Sequence, residues 1–173
     1  TIRAMGHEIL QEAFSAAHIT PGVTTTDDVI WWLRQRVVEL GLKTWFHPSV
    51  SIQRTNMGDN AFLRSFANRA EDEVIQKGDL LHVDFGITYL RLNTDQQQHF
   101  YMLRDGETAV PKGLAAAFKN GNRLQDILVK NFDAGKSGNE ILKDALDQAK
   151  GEGIQASIYT HPIGFHGHAA GPT

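Results

Sequence analysis

The stretch Leu80-Leu81-His82-Val83-Asp84-Phe85-Gly86 places a carboxylate inside an otherwise largely apolar run. It follows Lys77-Gly78-Asp79, a typical turn signal, and its leucine, valine and phenylalanine residues favour a buried strand. The sequence therefore predicts a strand over residues 80–89. Burying an unpaired carboxylate is costly, so Asp84 needs a partner. His82 shares the strand face of Asp84 and is expected to be a packed, hydrogen-bonded histidine.

A second run, residues 100–103, predicts the strand that pairs with the first. With a two-residue loop at residues 89–90, Asp84 and Asp95 would lie directly opposite each other, their Cβ atoms about 5 Å apart. Two facing carboxylates repel, so a divalent cation between them would explain the arrangement. The alternative is that Asp95 lies in a loop and that Asp84 pairs with an arginine.

Helical and strand patterns account for most of the remaining chain. Helices are predicted over residues 2–17, from Thr26 or Asp27 to Gly41, over 112–132, and over 137–150 with a Ser137-x-x-Glu140 capping box. Further strands are predicted over residues 49–53 and 154–160. This order predicts an α+β fold in which helices cover one face of an antiparallel sheet. The length suits one core, so we expect a single domain over residues 1–173.

The composition excludes several classes of function. The net charge of −3 gives no general attraction to nucleic acid or to an anionic membrane. No apolar run approaches the roughly 18 residues of a membrane span. The absence of cysteine excludes thiolate metal sites and cysteine nucleophiles, so a metal must be held by histidine, aspartate or glutamate. The compartment is not determined, because we do not expect Thr1 to be the natural N-terminus.

Three of the eight histidines lie within residues 161–168. Neutral imidazole is the commonest protein ligand of transition metals. Two glycines in this stretch would let the backbone approach a ligand closely. Together with Asp84 and Asp95, these histidines form a donor set that suits Zn, Mn, Co or Fe. The alternative is a surface loop in which the histidines are incidental.

At these residues the sequence resembles the pita-bread metallopeptidases, which include methionine aminopeptidase, aminopeptidase P and prolidase. The motif Gly78-Asp79-Leu80-x-x-x-Asp84-x-Gly86 is similar to the strand that carries the first aspartate ligand of the family. Asp95 stands at the interval of the second, and His161-x-Ile163-Gly164-x-x-x-His168 is similar to the histidine motif. The resemblance covers nearly the whole chain. It implies the pita-bread fold and a metal-dependent exopeptidase that cleaves the N-terminal peptide bond.

The resemblance also implies a role for each matching residue. Asp84 would chelate one divalent metal ion, Asp95 would bridge two ions, and His161 would bind the second, the metal being Mn, Co or Zn. His168 would contact the carbonyl of the peptide substrate. The two glutamate ligands of the family follow the histidine motif, so we expect them beyond Thr173 and expect the chain to be truncated at its C-terminus. Truncation would leave apolar surface uncovered, and a homodimer is a corresponding expectation.

Two departures from the family pattern bear on the substrate. The usual substrate-site histidine is missing near Ala67, and residues 96–98 are glutamines where the family often has an arginine. The missing histidine and Pro162 favour an aminopeptidase P or prolidase-like enzyme, acting on Xaa-Pro peptides, over a methionine aminopeptidase. The alternatives are a non-catalytic pita-bread domain that binds peptides or protein partners, and a mononuclear metal hydrolase of another fold.

Overall fold

The computed structural model describes residues 1–54 and 73–158, which contain four helices and six strands. The helices are α1 (Ile2–Ala13), α2 (Thr26–Glu39), α3 (Lys112–Asn131) and α4 (Gly138–Gly151). The strands are β1 (Lys43–Thr44), β2 (Ser49–Gln53), β3 (Leu80–Phe85), β4 (Ile87–Tyr89), β5 (Leu92–Asn93) and β6 (Gln96–Tyr101). The expected α+β class with antiparallel sheets is confirmed.

Two compact units divide the chain, one holding α1, α2 and all six strands and the other holding α3 and α4. The single domain expected over residues 1–173 stays a prediction. None of the described helices has the length and apolar character needed to cross a membrane.

Helix α2 begins with a capping box, which fixes the residue at which the helix starts. The N-cap is Thr25, one or two residues earlier than expected. The backbone N–H of Asp28 donates to Thr25 Oγ1 at 3.1 Å, and that of Thr25 donates to Asp28 Oδ2 at 2.9 Å. The backbone N–H and the hydroxyl of Thr25 both donate to the Asp28 carboxylate, and these two bonds hold the pKa of Asp28 below its usual value. Gly41 follows the helix with a φ of +70°, as its predicted role as a helix stop requires.

Strand β3 is the central strand of a three-stranded antiparallel sheet, ordered β2-β3-β6. Its side chains alternate: Leu81, Val83 and Phe85 are fully buried, whereas the residues between them are half-buried. The buried face packs against α1 and α2. The core formed there is apolar, with Ile9, Leu10, Ala13, Phe14, Ile19, Val29, Ile30, Leu33, Val37, Val50, Ile52, Ile75, Leu81, Val83, Phe85 and Ile87.

The turn between β4 and β5 sets the register of this hairpin. Leu90 and Arg91 both have positive φ, 48° and 69°, as the two central residues of a type I′ turn require. Tyr89 therefore pairs with Leu92, and in the same register Asp84 pairs with Gln97. The two-residue loop was expected at residues 89–90, but it lies one residue later, at Leu90 and Arg91. Asp84 and Asp95 are consequently not direct partners, although a shift of two positions along β6 preserves the face of each side chain.

The second unit consists of α3 and α4, which pack through Ile127, Ala145 and Ala149. The predicted capping box of α4 is confirmed: the N–H of Glu140 donates to Ser137 Oγ at 3.4 Å and that of Ser137 donates to Glu140 Oε2 at 2.8 Å. At the other end, Arg123 on α3 makes a two-pronged ion pair with Glu152, both contacts at 2.7 Å.

The strand expected over residues 154–160 is not found in its described part, residues 154–158. The N–H of Ile154 closes the end of α4 by donating to Ala149 O at 2.9 Å. Ile154, Ala156 and Ile158 pack against the α3–α4 cluster. The alternation that suggested a strand therefore comes from one-sided packing on helices, without strand pairing among the described residues.

A buried ion pair holds the start of β3. Asp79 is fully buried, and its carboxylate accepts Arg54 Nε at 2.6 Å and Arg54 Nη2 at 2.7 Å. The backbone N–H of Gln76 donates to the same carboxylate at 2.7 Å, and Arg54 Nη2 also reaches Val74 O at 3.0 Å. The hydrogen bond to Asp79 raises the pKa of Arg54. The aspartate of the Gly78-Asp79-Leu80 motif thus has a structural role.

Replacing Asp79 by alanine should destabilise the protein by about 3 kcal/mol, because it leaves a partly buried guanidinium and the N–H of Gln76 without their acceptor. Urea unfolding measures the loss. Asp105→Ala is the matched control: Asp105 is 88% exposed in its pair with Lys77, so its loss should cost less than about 1 kcal/mol. Equal losses in the two variants would contradict a special role for the buried pair.

The Arg123–Glu152 ion pair should make the stability of the folded state depend on pH. Hydrogen bonds from Arg123 and Gln148 lower the pKa of Glu152 from 4.5 to about 2. A depressed carboxyl pKa stabilises the folded state above pH 4.5, and this stabilisation is lost as the pH falls towards 2. As the pH is lowered from 4.5 towards 2, the thermal unfolding midpoint of the parent should therefore fall more steeply than that of Glu152→Gln. Parallel plots of unfolding midpoint against pH would show that the ion pair contributes nothing to the pH dependence of stability.

Candidate functional site

Asp84 lies on the face of β3 that points away from the helical core. Its neighbours across the sheet are Ser49 on β2 and Gln97 on β6. The residue is half-buried, and one of its carboxylate oxygens is inaccessible to solvent. Because β3 is paired on both sides, the backbone beneath this carboxylate is held rigidly by two ladders of hydrogen bonds.

Asp95 is exposed and lies between β5 and β6, outside the strands. The hairpin register continues past it, since the N–H of Thr94 donates to Ile87 O at 2.9 Å. Asp95 therefore falls opposite Gly86 and diagonal to Asp84. Diagonal cross-strand neighbours are roughly 7–8 Å apart, so carboxylates there can reach a cation between them. The shared face was predicted correctly; the direct opposition was not.

Gly86 is required by two aromatic side chains that lie over it. A Cβ at this position would overlap Trp45, Phe46 and the carbonyl of Thr94. Trp45 is anchored by its Nε1–H, which donates to Thr94 O at 2.8 Å, and its ring meets that of Phe46 edge-on at 4.7 Å. A half-buried aromatic wall, Trp45 and Phe46, therefore borders the position opposite Asp95. Sequence reasoning missed this wall, because only the register connects Gly86 to Asp95.

The three consecutive glutamines of residues 96–98 face alternate sides of β6. Gln96 is buried against α1, where its Nε2 donates to Arg3 O at 3.1 Å, and Gln98 contacts His7 on the same helix. Gln97 faces the other way, towards Asp84 and His82. Two of the glutamines therefore fasten α1 to the sheet, and the third belongs to the candidate site.

His82 and His99 are direct partners in the β3–β6 ladder. Their ring centroids are 5.1 Å apart and the rings are inclined by 49°. His82 Nε2 lies 3.0 Å from Gln97 Oε1, an acceptor, so this nitrogen carries the proton. Partial desolvation and the neighbouring His82 lower the pKa of His99. The expectation of a hydrogen-bonded His82 on the Asp84 face is confirmed; its pairing with His99 was not foreseen.

The predicted site residues His161 and His168 lie outside the described residues. Within residues 1–54 and 73–158, no three histidine, aspartate or glutamate side chains converge closely enough to hold a metal ion. Asp84 and Asp95 supply carboxylate oxygens, which suit a hard divalent ion such as Mn²⁺, and imidazole would extend the range to Zn²⁺. The described donors therefore fit part of the expected ligand set.

The described fold is similar to that of several solved peptidases. The X-Pro aminopeptidase from Thermotoga maritima aligns with a TM-score of 0.61 and 19% identity, over 86% of this chain and 40% of that one. The prolidase from Pyrococcus furiosus aligns with a TM-score of 0.58 and 20% identity, over 86% and 41%. The prolidase from Thermococcus sibiricus aligns with a TM-score of 0.60 and 15% identity, over 86% of this chain and 38% of that one. At these identities the likeness shows the fold alone.

The chain spans about two fifths of the length of these structures. A comparison with curated proteins finds no significant match. The model of metallopeptidase family M24 matches residues 3–172, which is nearly the whole sequence. The chain therefore belongs to metallopeptidase family M24, a family of metal-dependent hydrolases with the pita-bread fold.

Proposed function

We propose that this chain carries part of the dinuclear metal site of an exopeptidase that hydrolyses the N-terminal peptide bond of Xaa-Pro peptides. The proposal is carried by the position of Asp84 and Asp95. In the observed register they are diagonal neighbours on the face of the sheet that points away from the core. The family match to residues 3–172 supports the same reading of these carboxylates.

In this proposal Asp84, Asp95 and His161 hold two divalent ions, Mn, Co or Zn, and His168 contacts the substrate carbonyl. Such ions, when bound, acidify water and polarise a peptide carbonyl. Asp84 suits the fixed position in the site, because its strand is paired on both sides. Asp95 is exposed between β5 and β6, and in this proposal it would contribute to both ions from the neighbouring position on the same face.

The aromatic wall supports the preference for proline. Trp45 and Phe46 keep part of their surface exposed beside the position opposite Asp95. An apolar ring packed there would lose its hydration shell and would help to exclude water from the reacting bond. The similar structures include an X-Pro aminopeptidase and two prolidases, and this agrees with a proline ring as the occupant.

In this proposal residues 1–173 act as one domain, and the histidine motif completes the site formed by Asp84 and Asp95. The partner in this reading is a peptide, and a homodimer is the proposed assembly. Exposed apolar side chains on the first unit, such as Trp31 at 61% and Val38 at 68%, offer surface for such an interface.

Metal binding tests the aspartate pair directly. We expect the 173-residue chain to bind Mn²⁺ in calorimetry with an affinity that falls at least tenfold in Asp84→Asn and in Asp95→Asn, because each change removes a charged ligand. Asp105→Asn, an exposed aspartate paired with Lys77, is the matched control and should bind as the parent does. Unchanged binding in both site variants would refute the aspartate pair as ligands.

Substrate preference is measured on the whole natural protein loaded with Mn²⁺ or Co²⁺, because this chain covers only about 40% of the similar structures. An Xaa-Pro peptide should be hydrolysed faster than the same peptide with alanine in place of proline, and Asp84→Asn should lower kcat/KM at least about a hundredfold. Peptide binding without metal uptake or hydrolysis would instead favour the non-catalytic pita-bread domain.

A further inference from the structure

The rings of His82 and His99 are as far apart as two imidazoles bound to one metal ion, and the pair is separate from Asp84 and Asp95. Two imidazoles bound to one tetrahedral ion, with metal–nitrogen bonds of about 2.0–2.1 Å, have ring centroids roughly 5 Å apart. The observed separation is 5.1 Å. Both side chains come from residues paired in the same antiparallel ladder, so the backbone fixes their spacing before any ligand binds.

The contact between His82 and Gln97 matches the support that metal-binding histidines require. Such a histidine usually donates its second ring N–H to an oxygen, which fixes the ring and increases the basicity of the coordinating nitrogen. His82 Nε2–H donates to Gln97 Oε1 at 3.0 Å, so Nδ1 carries the lone pair. The partner His99 is on β6 and is exposed, so an ion can approach from solvent.

The two histidines do not share a site with the aspartates. No group of three histidine, aspartate or glutamate side chains within residues 1–54 and 73–158 is close enough to hold one ion. His82 and Asp84 are two residues apart on one strand face, a rise of about 6.6 Å. The pair would therefore supply two protein ligands, with water or a bound molecule completing the coordination.

We propose that His82 and His99 form a two-histidine binding site for a nitrogen-preferring transition-metal dication, such as Ni²⁺, Cu²⁺ or Zn²⁺. Imidazole suits these ions, whereas Mn²⁺ favours oxygen donors, so we expect Ni²⁺ and Cu²⁺ to prefer the histidine pair and Mn²⁺ to prefer the carboxylates of Asp84 and Asp95. The proposal does not rest on the peptidase function.

Calorimetry with Ni²⁺ tests this site in a chain whose three C-terminal histidines, His161, His166 and His168, are all changed to glutamine, which removes competing imidazoles. This background should bind one Ni²⁺ per chain. Adding His99→Gln should weaken the affinity at least tenfold, and Gln97→Leu should weaken it about tenfold through loss of the bond to His82. With Cu²⁺, electron paramagnetic resonance should show coupling to two nitrogens in the background and fewer in His99→Gln.

Two further variants serve as controls, and circular dichroism with thermal unfolding checks that each variant folds. His47→Gln removes an exposed histidine that contacts Arg34 and Trp31, and should leave Ni²⁺ binding unchanged. Asp105→Asn, at an exposed aspartate paired with Lys77, should also leave it unchanged. No Ni²⁺ binding in the background, equal binding after His99→Gln, or equal losses after His99→Gln and Asp105→Asn would each overturn the proposal.

Discussion

The pairing of β3 with strands on both sides is the constraint on which the described site depends. Side chains of a strand alternate between faces, so one register decides at once which residues enter the core and which meet solvent. In the observed register Leu81, Val83 and Phe85 are buried while His82 and Asp84 are not. A slip of one residue would bury the carboxylate and expose three apolar side chains. The core and the polar face therefore stabilise the same register.

The start of β3 is secured by a different kind of interaction. Arg54 follows β2 and Asp79 precedes β3, so their ion pair joins two neighbouring strands at the same end of the sheet. Hydrophobic burial is not directional, and it would tolerate small shifts of one strand past the other. A two-pronged guanidinium–carboxylate contact has a fixed geometry and does not tolerate such shifts. The apolar face thus holds the strands together, while the ion pair specifies their alignment.

Much of the first unit could be predicted from the sequence, because its signals are local. Strand β2 lies where its residues predict it, and in the second unit so does the capping box of α4. The register of the hairpin was missed because Leu90 and Arg91 have no strong preference for positive φ, whereas an Asn-Gly pair would have marked the turn. The shared face of Asp84 and Asp95 could be predicted from their spacing, since an error of two positions leaves the face unchanged. The aromatic wall and the histidine pair required the register itself, which no local pattern contains.

The contact between α1 and β6 has a consequence for how the family can vary. A side chain at Gly6 would overlap the amide of Gln96, which is buried and hydrogen-bonded to Arg3 O. The two positions are 90 residues apart in the chain yet occupy one volume. Natural variants should therefore change them together, with a larger residue at position 6 accompanied by a smaller one at position 96. The first glutamine after Asp95 would then be inherited together with a glycine of the first helix.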